Sequence, residues 1–333
     1  MSSRLGISSI DDLLGDSRTR FFGAGFRLVT HELTDLVVDT GKKTICASAK
    51  IDYPASWSTK KSVELKPHLS SLDALTIGAQ LCEVFVRAAF GIEGSAADRL
   101  WLSRSSLKAG NNPTIDLAAV PVSATLVETK SSPDSLCGHL SSFTAQVGSI
   151  GLEFTIDHPI VDATDSVARW ANVHDVLGPA ENRHFGSAYT ATQLDLRDIE
   201  FQTDRAGALL HLEEPDGRPR LHGMGAAYFP FVSPMNAIVG VAQLAQAMLY
   251  QYDNISRDVS HTLWMRKIAL EHPKPAMAGR SLQVSTWSTK MSLLPIKDAT
   301  WRTGSFAMSM PGILATYTVA HQLPTECRVA ERV

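Results

Sequence analysis

SLDALTIGAQLCEVFVRAAF (Ser71–Phe90) is a run of helix formers with almost no charge and no period of two. Leu72, Leu75, Ile77, Leu81, Phe85 and Val86 spread over most faces of a helix, and a helix apolar nearly all round is a buried one. Ser70 or Ser71 opens it, with Asp73 in the first turn, where a carboxylate favours the helix dipole. A second run of the same kind, PMNAIVGVAQLAQAMLY (Pro234–Tyr250), follows Ser233 with Pro at a first-turn position.

The two runs start 163 residues apart, and much else recurs at that offset. Asp12, Leu14, Gly15, Arg20, Phe22, Gly23, Leu33 and Asp35 return as Asp175, Leu177, Gly178, Arg183, Phe185, Gly186, Leu196 and Asp198. Pro67, Ser70, Ala79, Gln80 and Trp101 return as Pro230, Ser233, Ala242, Gln243 and Trp264. A register kept over so long a span means a duplicated fold. The expected units are a first repeat over 1–159, a linker over 160–172, a second repeat over 173–324, and a frayed polar tail over 325–333. The period far exceeds the roughly 20–50 residues of a solenoid repeat.

Strands surround each helix. Ile45, Ala47, Ala49 and Ile51 alternate with polar neighbours, the period of a half-buried strand. Strand-like runs are expected at 26–38, 99–103, 120–129 and 142–157, and in the second copy at 189–201, 263–268, 282–290 and 305–320. One long buried helix with long antiparallel strands describes a hot-dog fold, a curved sheet wrapped around one helix. The expectation is therefore α+β, a tandem (double) hot dog whose two sheets meet edge to edge.

The chain has 333 residues, 44% hydrophobic and 20% charged, with a net charge of −3. That suits a large core and excludes a basic nucleic-acid-binding face. The N-terminus has no charged region followed by an apolar one, and no run of 18 apolar residues occurs, so neither a signal peptide nor a membrane span is expected. Cys46, Cys82, Cys137 and Cys327 are scattered, as free thiols of a cytoplasmic protein would be. No metal, phosphate-loop or dinucleotide signature is present, so no cofactor is expected.

At 100° per residue, Asp73, Thr76, Gln80 and Glu83 form a narrow polar stripe on one helix face. The second helix carries Asn236, Val239, Gln243 and Gln246 there. Both carboxylates of the first copy are thus amides in the second, which keep the shape but cannot act as bases. The functional reading makes Glu83 and Asp73 one acid/base centre whose pKa values rise on burial, with Gln80, Asn236, Gln243 and Gln246 orienting substrate. The competing reading is a stripe where the helix meets water or the other repeat. Arg20 and Arg183 precede an aromatic and Gly and suit a polar head group, or tie the opening loop to the core. His68 lies just before the first helix, where loops line hot-dog pockets. His158 and His321 recur at strand ends, which favours a structural role.

SIDDLLGDSRTRFFGAGFR (Ser9–Arg27) resembles the opening of the avirulence protein D family, and the likeness extends over nearly the whole chain. The resemblance implies synthesis of syringolide-type signals, acylated sugar lactones, by joining a 3-oxoacyl thioester to a sugar such as xylulose. It is similar to the A-factor-type butyrolactone synthases, double hot dogs that use a 3-oxoacyl carrier protein and dihydroxyacetone phosphate. Hot-dog acyl dehydratases are more distantly similar through Pro234 and Ala242-Gln243, but Val239 and Thr76 stand where they carry Glu, which argues against dehydration. The expected partners are an acyl thioester on carrier protein or coenzyme A and a small sugar, with homodimerisation left open. The alternatives are a hot-dog thioesterase or hydratase and a non-catalytic lipid-binding module.

Overall fold

The computed structural model describes residues 6–60, 65–163 and 165–324; Cys327 and the tail after 324 lie outside them. The strands are β1 (Gly6–Ser9), β2 (Thr30–Asp39), β3 (Thr44–Asp52), β4 (Trp101–Lys108), β5 (Val120–Ser131), β6 (His139–Val147) and β7 (Ile150–His158). They continue as β8 (Val167–Asn172), β9 (Gln193–Phe201), β10 (Arg205–Glu213), β11 (Trp264–Glu271), β12 (Ser281–Ile296), β13 (Ala299–Met310) and β14 (Ile313–Gln322). All fourteen join in one antiparallel sheet, ordered β1-β9-β10-β12-β13-β14-β11-β4-β7-β6-β5-β3-β2-β8.

Each half of the sheet carries one long helix, Ser71–Phe90 or Pro234–Asp253, packed on strands of its own half. Both are capped alike. Ser70 Oγ accepts from Asp73 N and Ser233 Oγ from Asn236 N, while the side chains of Asp73 and Asn236 reach back to the cap backbone. Nearly every residue of both helices is buried, as their all-round apolar character requires. A large antiparallel sheet with one long helix packed on each half fits a hot-dog fold. Among the described residues no helix is long and apolar enough to cross a membrane.

The halves meet along β4 and β11, where Ser106 faces Ala269, two positions 163 apart. Phe26 and Tyr189, also 163 apart, stack on each other at 6.3 Å. Positions that contact their own counterparts mark a local two-fold axis.

The halves also exchange their opening segments. β1 pairs with β9 of the second half, and β8 pairs with β2 of the first. Ile10 N donates to Leu196 O and, at the same offset, Val173 N donates to Leu33 O. Residues 167–172, expected to be linker, are therefore a strand completing the first half of the sheet.

Several element boundaries differ from expectation for local reasons. The runs at 142–157 and 305–320 each split into two strands, turning at Gly148 (φ +51°) and Gly312 (φ +74°). These are the left-handed positions a tight turn gives to glycine. The runs at 26–38 and 189–201 begin with short helical turns, so β2 and β9 start later. His158 bonds Ser141 Oγ (2.7 Å) and stacks on Phe90. His321 approaches Asp253, which also takes a buried ion pair from Arg302. Both histidines brace the end of a central helix.

Candidate active site

The segment exchange carries each opening arginine across to the other half. Arg20 Nη1 donates to Gln243 Oε1 (2.6 Å), and Arg183 Nη1 donates to Gln80 Oε1 (2.8 Å). Each glutamine then returns its amide N–H to its own helix, Gln80 to Thr76 O and Gln243 to Val239 O. All four side chains are buried. This reciprocal brace explains why Arg and Gln recur together, and it corrects the reading of Arg183 and Gln80 as substrate-binding groups: Arg183 Nη1 and Gln80 Oε1 hold each other, and Arg183 Nε and Gln80 Nε2 go to backbone carbonyls.

The axis gives two equivalent positions, each between the start of one central helix and the middle of the other, and their contents differ. The first is an open cleft of about 1160 Å³, open solvent included. Ser70 and Ser71 line it from the first helix, and Ala242, Gln243 and Gln246 from the second. Phe22, Leu69, Leu107, Ile150 and Met265 make an apolar wall. Arg20, Lys60 and Arg257 bring positive charge, and no carboxylate lines the cleft among the described residues. His68 sits on the wall with its ring 4.7 Å from Trp264 and 6.0 Å from Trp57. Its Nδ1 lies 2.9 Å from Lys66 O. A carbonyl only accepts, so Nδ1 carries the proton, and the tautomer this selects has its lone pair on Nε2.

The equivalent position of the other half is filled. Phe231 stands where the offset puts His68, packed between Trp101 (5.0 Å) and His184 (4.7 Å). His184 and His272 are buried with both ring nitrogens unpartnered, and burial pulls each down to about 3, so both are neutral. Glu83 belongs here. Its Oε1 accepts from Met224 N at 3.1 Å, and a Cβ on Gly223 would come within 2.5 Å of the same oxygen.

Glu83 and Asp73 therefore do not form one centre. Ten helical residues separate them, about 15 Å along the axis at ~1.5 Å per residue, and their partners are different. Burial pushes the Glu83 carboxyl up, against the pull of Arg87, Arg183 and the Met224 N–H, with Asp98 adding to the rise. Asp73 goes the other way. Burial pushes it up, but His31 Nε2 at 3.0 Å, Ser70 and the Tyr53 hydroxyl hold the net value below the usual carboxylate range. The expectation that burial would raise both is thus corrected for Asp73, because hydrogen bonds to the charged form outweigh desolvation. Neither carboxylate lines the cleft.

Asn236 is likewise committed, as the box residue of its own helix. Gln246 does face the cleft and donates to Tyr250 OH (2.7 Å). Of the sequence candidates, the cleft collects Arg20, Gln243, Gln246 and His68 and leaves out Asp73, Glu83, Gln80, Arg183 and Asn236. Sequence reasoning missed Lys60, Arg257, Trp57, His31 and Tyr53. The offset carried the signal for two of them: Lys60 and Arg257 fall on Gly223 and Gly94, so charge has diverged toward one half.

No curated protein matches the chain. Among solved structures, it is similar to the tesB protein of Mycobacterium avium subsp. paratuberculosis, at 11% identity, with 86% of this chain and 96% of that one covered and a TM-score of 0.41. It is also similar to the 12:0-ACP thioesterase of Umbellularia californica, at 10% identity over 79% and 94% of the chains with a TM-score of 0.38. A third similar structure is the putative MaoC domain protein dehydratase of Chloroflexus aurantiacus, at 8% identity over 77% and 82% with a TM-score of 0.36. The model of the Pseudomonas avirulence D protein family matches residues 6–324, and the chain belongs to that family.

Proposed function

We propose that this chain is an acyltransferase-like hot-dog enzyme, a tandem of two repeats in which only the first cleft works. It joins a 3-oxoacyl thioester, on carrier protein or coenzyme A, to a small sugar, giving an acylated sugar lactone of the syringolide or butyrolactone type. The observation that carries this reading is the cleft at the start of the first central helix, where an apolar wall, a cationic end and a histidine bonded through Nδ1 to a backbone carbonyl come together.

The acyl chain lies along Phe22, Leu69, Leu107, Ile150 and Met265. The thioester carbonyl faces the start of the first central helix at Ser70 and Ser71. There the first-turn N–H groups and the helix dipole favour a developing oxyanion. His68 Nε2 takes the proton from the sugar hydroxyl as its oxygen attacks the carbonyl. The C–O bond forms, the C–S bond breaks, and the departing thiolate recovers that proton from His68. Gln246 orients the sugar, and ring closure follows: the acyl α-carbon gives up a proton and adds to the sugar ketone, the C–C bond forms, and the ketone oxygen takes that proton as a hydroxyl.

The base is assigned to His68 over Asp73 and Glu83 for two reasons. Asp73 is held in its charged form with both oxygens occupied. Glu83 is sealed in the filled half. A hot-dog thioesterase would use the same His68 with water in place of the sugar.

Mass spectrometry of lipid extracts from cells expressing the chain separates these readings. An acylated sugar lactone absent from control cells is the expected result. Free 3-oxo acid instead would make the chain a thioesterase. Unreacted lipid copurifying with the protein, with no new product, would make it a binding module.

A further inference from the structure

Three cations share the polar end of the cleft, Arg20, Lys60 and Arg257, and the last two are tethered by neutral groups in place of a carboxylate. Arg257 Nη2 is anchored by Thr19 O (2.8 Å) and Thr59 O (2.9 Å), so its guanidinium is held in place by neutral carbonyls. Lys60 Nζ is fixed the same way, by Ser260 O, Ser260 Oγ and His261 O at 2.9–3.1 Å. Arg20 is braced by Gln243 and by Asp11, yet its buried Nε–H has no partner among the described residues. In the filled half the equivalent Arg183 Nε donates to Gly178 O (3.1 Å) and Pro179 O (3.3 Å).

Like charges held together out of water repel. Arg257 lowers the pKa of both Arg20 and Lys60, in addition to the larger effect of burial. Asp11 on Arg20 and Asp258 beside Arg257 leave the group net positive, and Arg266 adds a further cation to the wall. The offset puts glycine at both Lys60 and Arg257 in the filled half, so the cluster follows the open cleft. A fixed, desolvated excess of positive charge with an unpartnered guanidinium N–H is complementary to a tetrahedral oxyanion.

We infer that Arg20, Lys60 and Arg257 form a phosphate-binding subsite, so that one substrate of this cleft enters as a phosphate ester. The inference rests on the proposed function only in placing the substrates in this cleft. The shared chemistry is a phosphate, carried either by the sugar or by the pantetheine arm of the thioester. Arg20 and Arg257 supply N–H donors, and Lys60, whose donors are already engaged, supplies charge.

Isothermal titration of the whole chain with matched pairs tests this: ribulose 5-phosphate against ribulose, and coenzyme A against pantetheine. At least one phosphorylated partner should bind ten-fold or more tightly than its twin, and that pair identifies the source. The preference should shrink as NaCl rises and vanish in Lys60→Met and in Arg257→Met. Equal binding within both pairs overturns the subsite, and so does full preference in both folded variants. If Arg257→Met fails to fold for want of its anchors, Lys60→Met and the wild-type salt series still decide. Phosphate-selective binding without lactone formation would keep the subsite and overturn the condensation. Lactone formation from unphosphorylated substrates, with no phosphate preference, would do the reverse.

Discussion

Arg20 and Arg183 show how one residue, kept twice, comes to do two jobs. Both reach across to a glutamine of the opposite helix, but only Arg20 also borders open space. Replacing Arg183 with Leu strands a buried amide oxygen and removes a charge-assisted hydrogen bond, so it should cost about 2–3 kcal/mol. Urea denaturation reads that loss, and turnover per folded molecule should stay unchanged. Arg20→Leu should cost a similar amount and lose substrate binding as well.

Glu83 gives a pH test at the same scale. Its folded pKa lies above the unfolded one. Its contribution to stability is therefore fully present below the unfolded pKa and is lost as pH rises through the folded value. Glu83→Gln, the residue the second helix already carries as Gln246, should remove that loss. The variant should gain on the wild type as pH rises from 5 to 8 in urea melts, and parallel curves would contradict the assignment. The polar stripe was legible in the sequence because it interrupts an apolar helix. Its meaning was not, because each half-site borrows residues from the other repeat, and spacing within one helix cannot name a partner more than a hundred residues away.

At the scale of elements, each central helix carries one glycine, at unmatched positions: the offset puts Val241 on Gly78 and Ile77 on Gly240. A Cβ on Gly78 would fall 2.7 Å from Phe154 Cε2, whereas on Gly240 it would meet only Leu210 Cδ2 at 3.7 Å. Gly78→Ala should therefore lose about 1–3 kcal/mol through overpacking. Gly240→Ala should gain about 0.5–1 kcal/mol from helix propensity. Thermal melts of the two variants should move in opposite directions. The helices were readable because composition, capping serine and length agreed. The hairpins at Gly148 and Gly312 were not, since alternation runs straight through a two-residue turn and leaves the period intact. β1 and β8 were hidden for another reason. GISS and VARWAN form strands only because the other half offers an open edge.

At the scale of the molecule, the exchanged segments make each half incomplete without the other. The first half lacks its outer strand β8 and the Arg183 brace, and the second lacks β1 and Arg20. Expressed separately, residues 1–163 and 165–333 should each be unfolded or aggregated by circular dichroism. Co-expressed, they should assemble into one soluble complex. The offset made the two matching halves legible, but it could not say that one of the two equivalent positions had been filled. That follows from Phe231, Trp101 and His184 packing where the other half has His68, Trp264 and Phe21 around open space.

The central claim, one working cleft governed by His68, is tested most directly by a single comparison. Purified wild type, His68→Asn and Glu83→Gln are each incubated with a 3-oxoacyl thioester and the sugar, and product is followed by mass spectrometry. Lactone formation by the wild type and by Glu83→Gln, with a loss of 100-fold or more in folded His68→Asn, is the predicted result. Full activity in His68→Asn together with loss in Glu83→Gln would move the chemistry to the filled half and contradict the account.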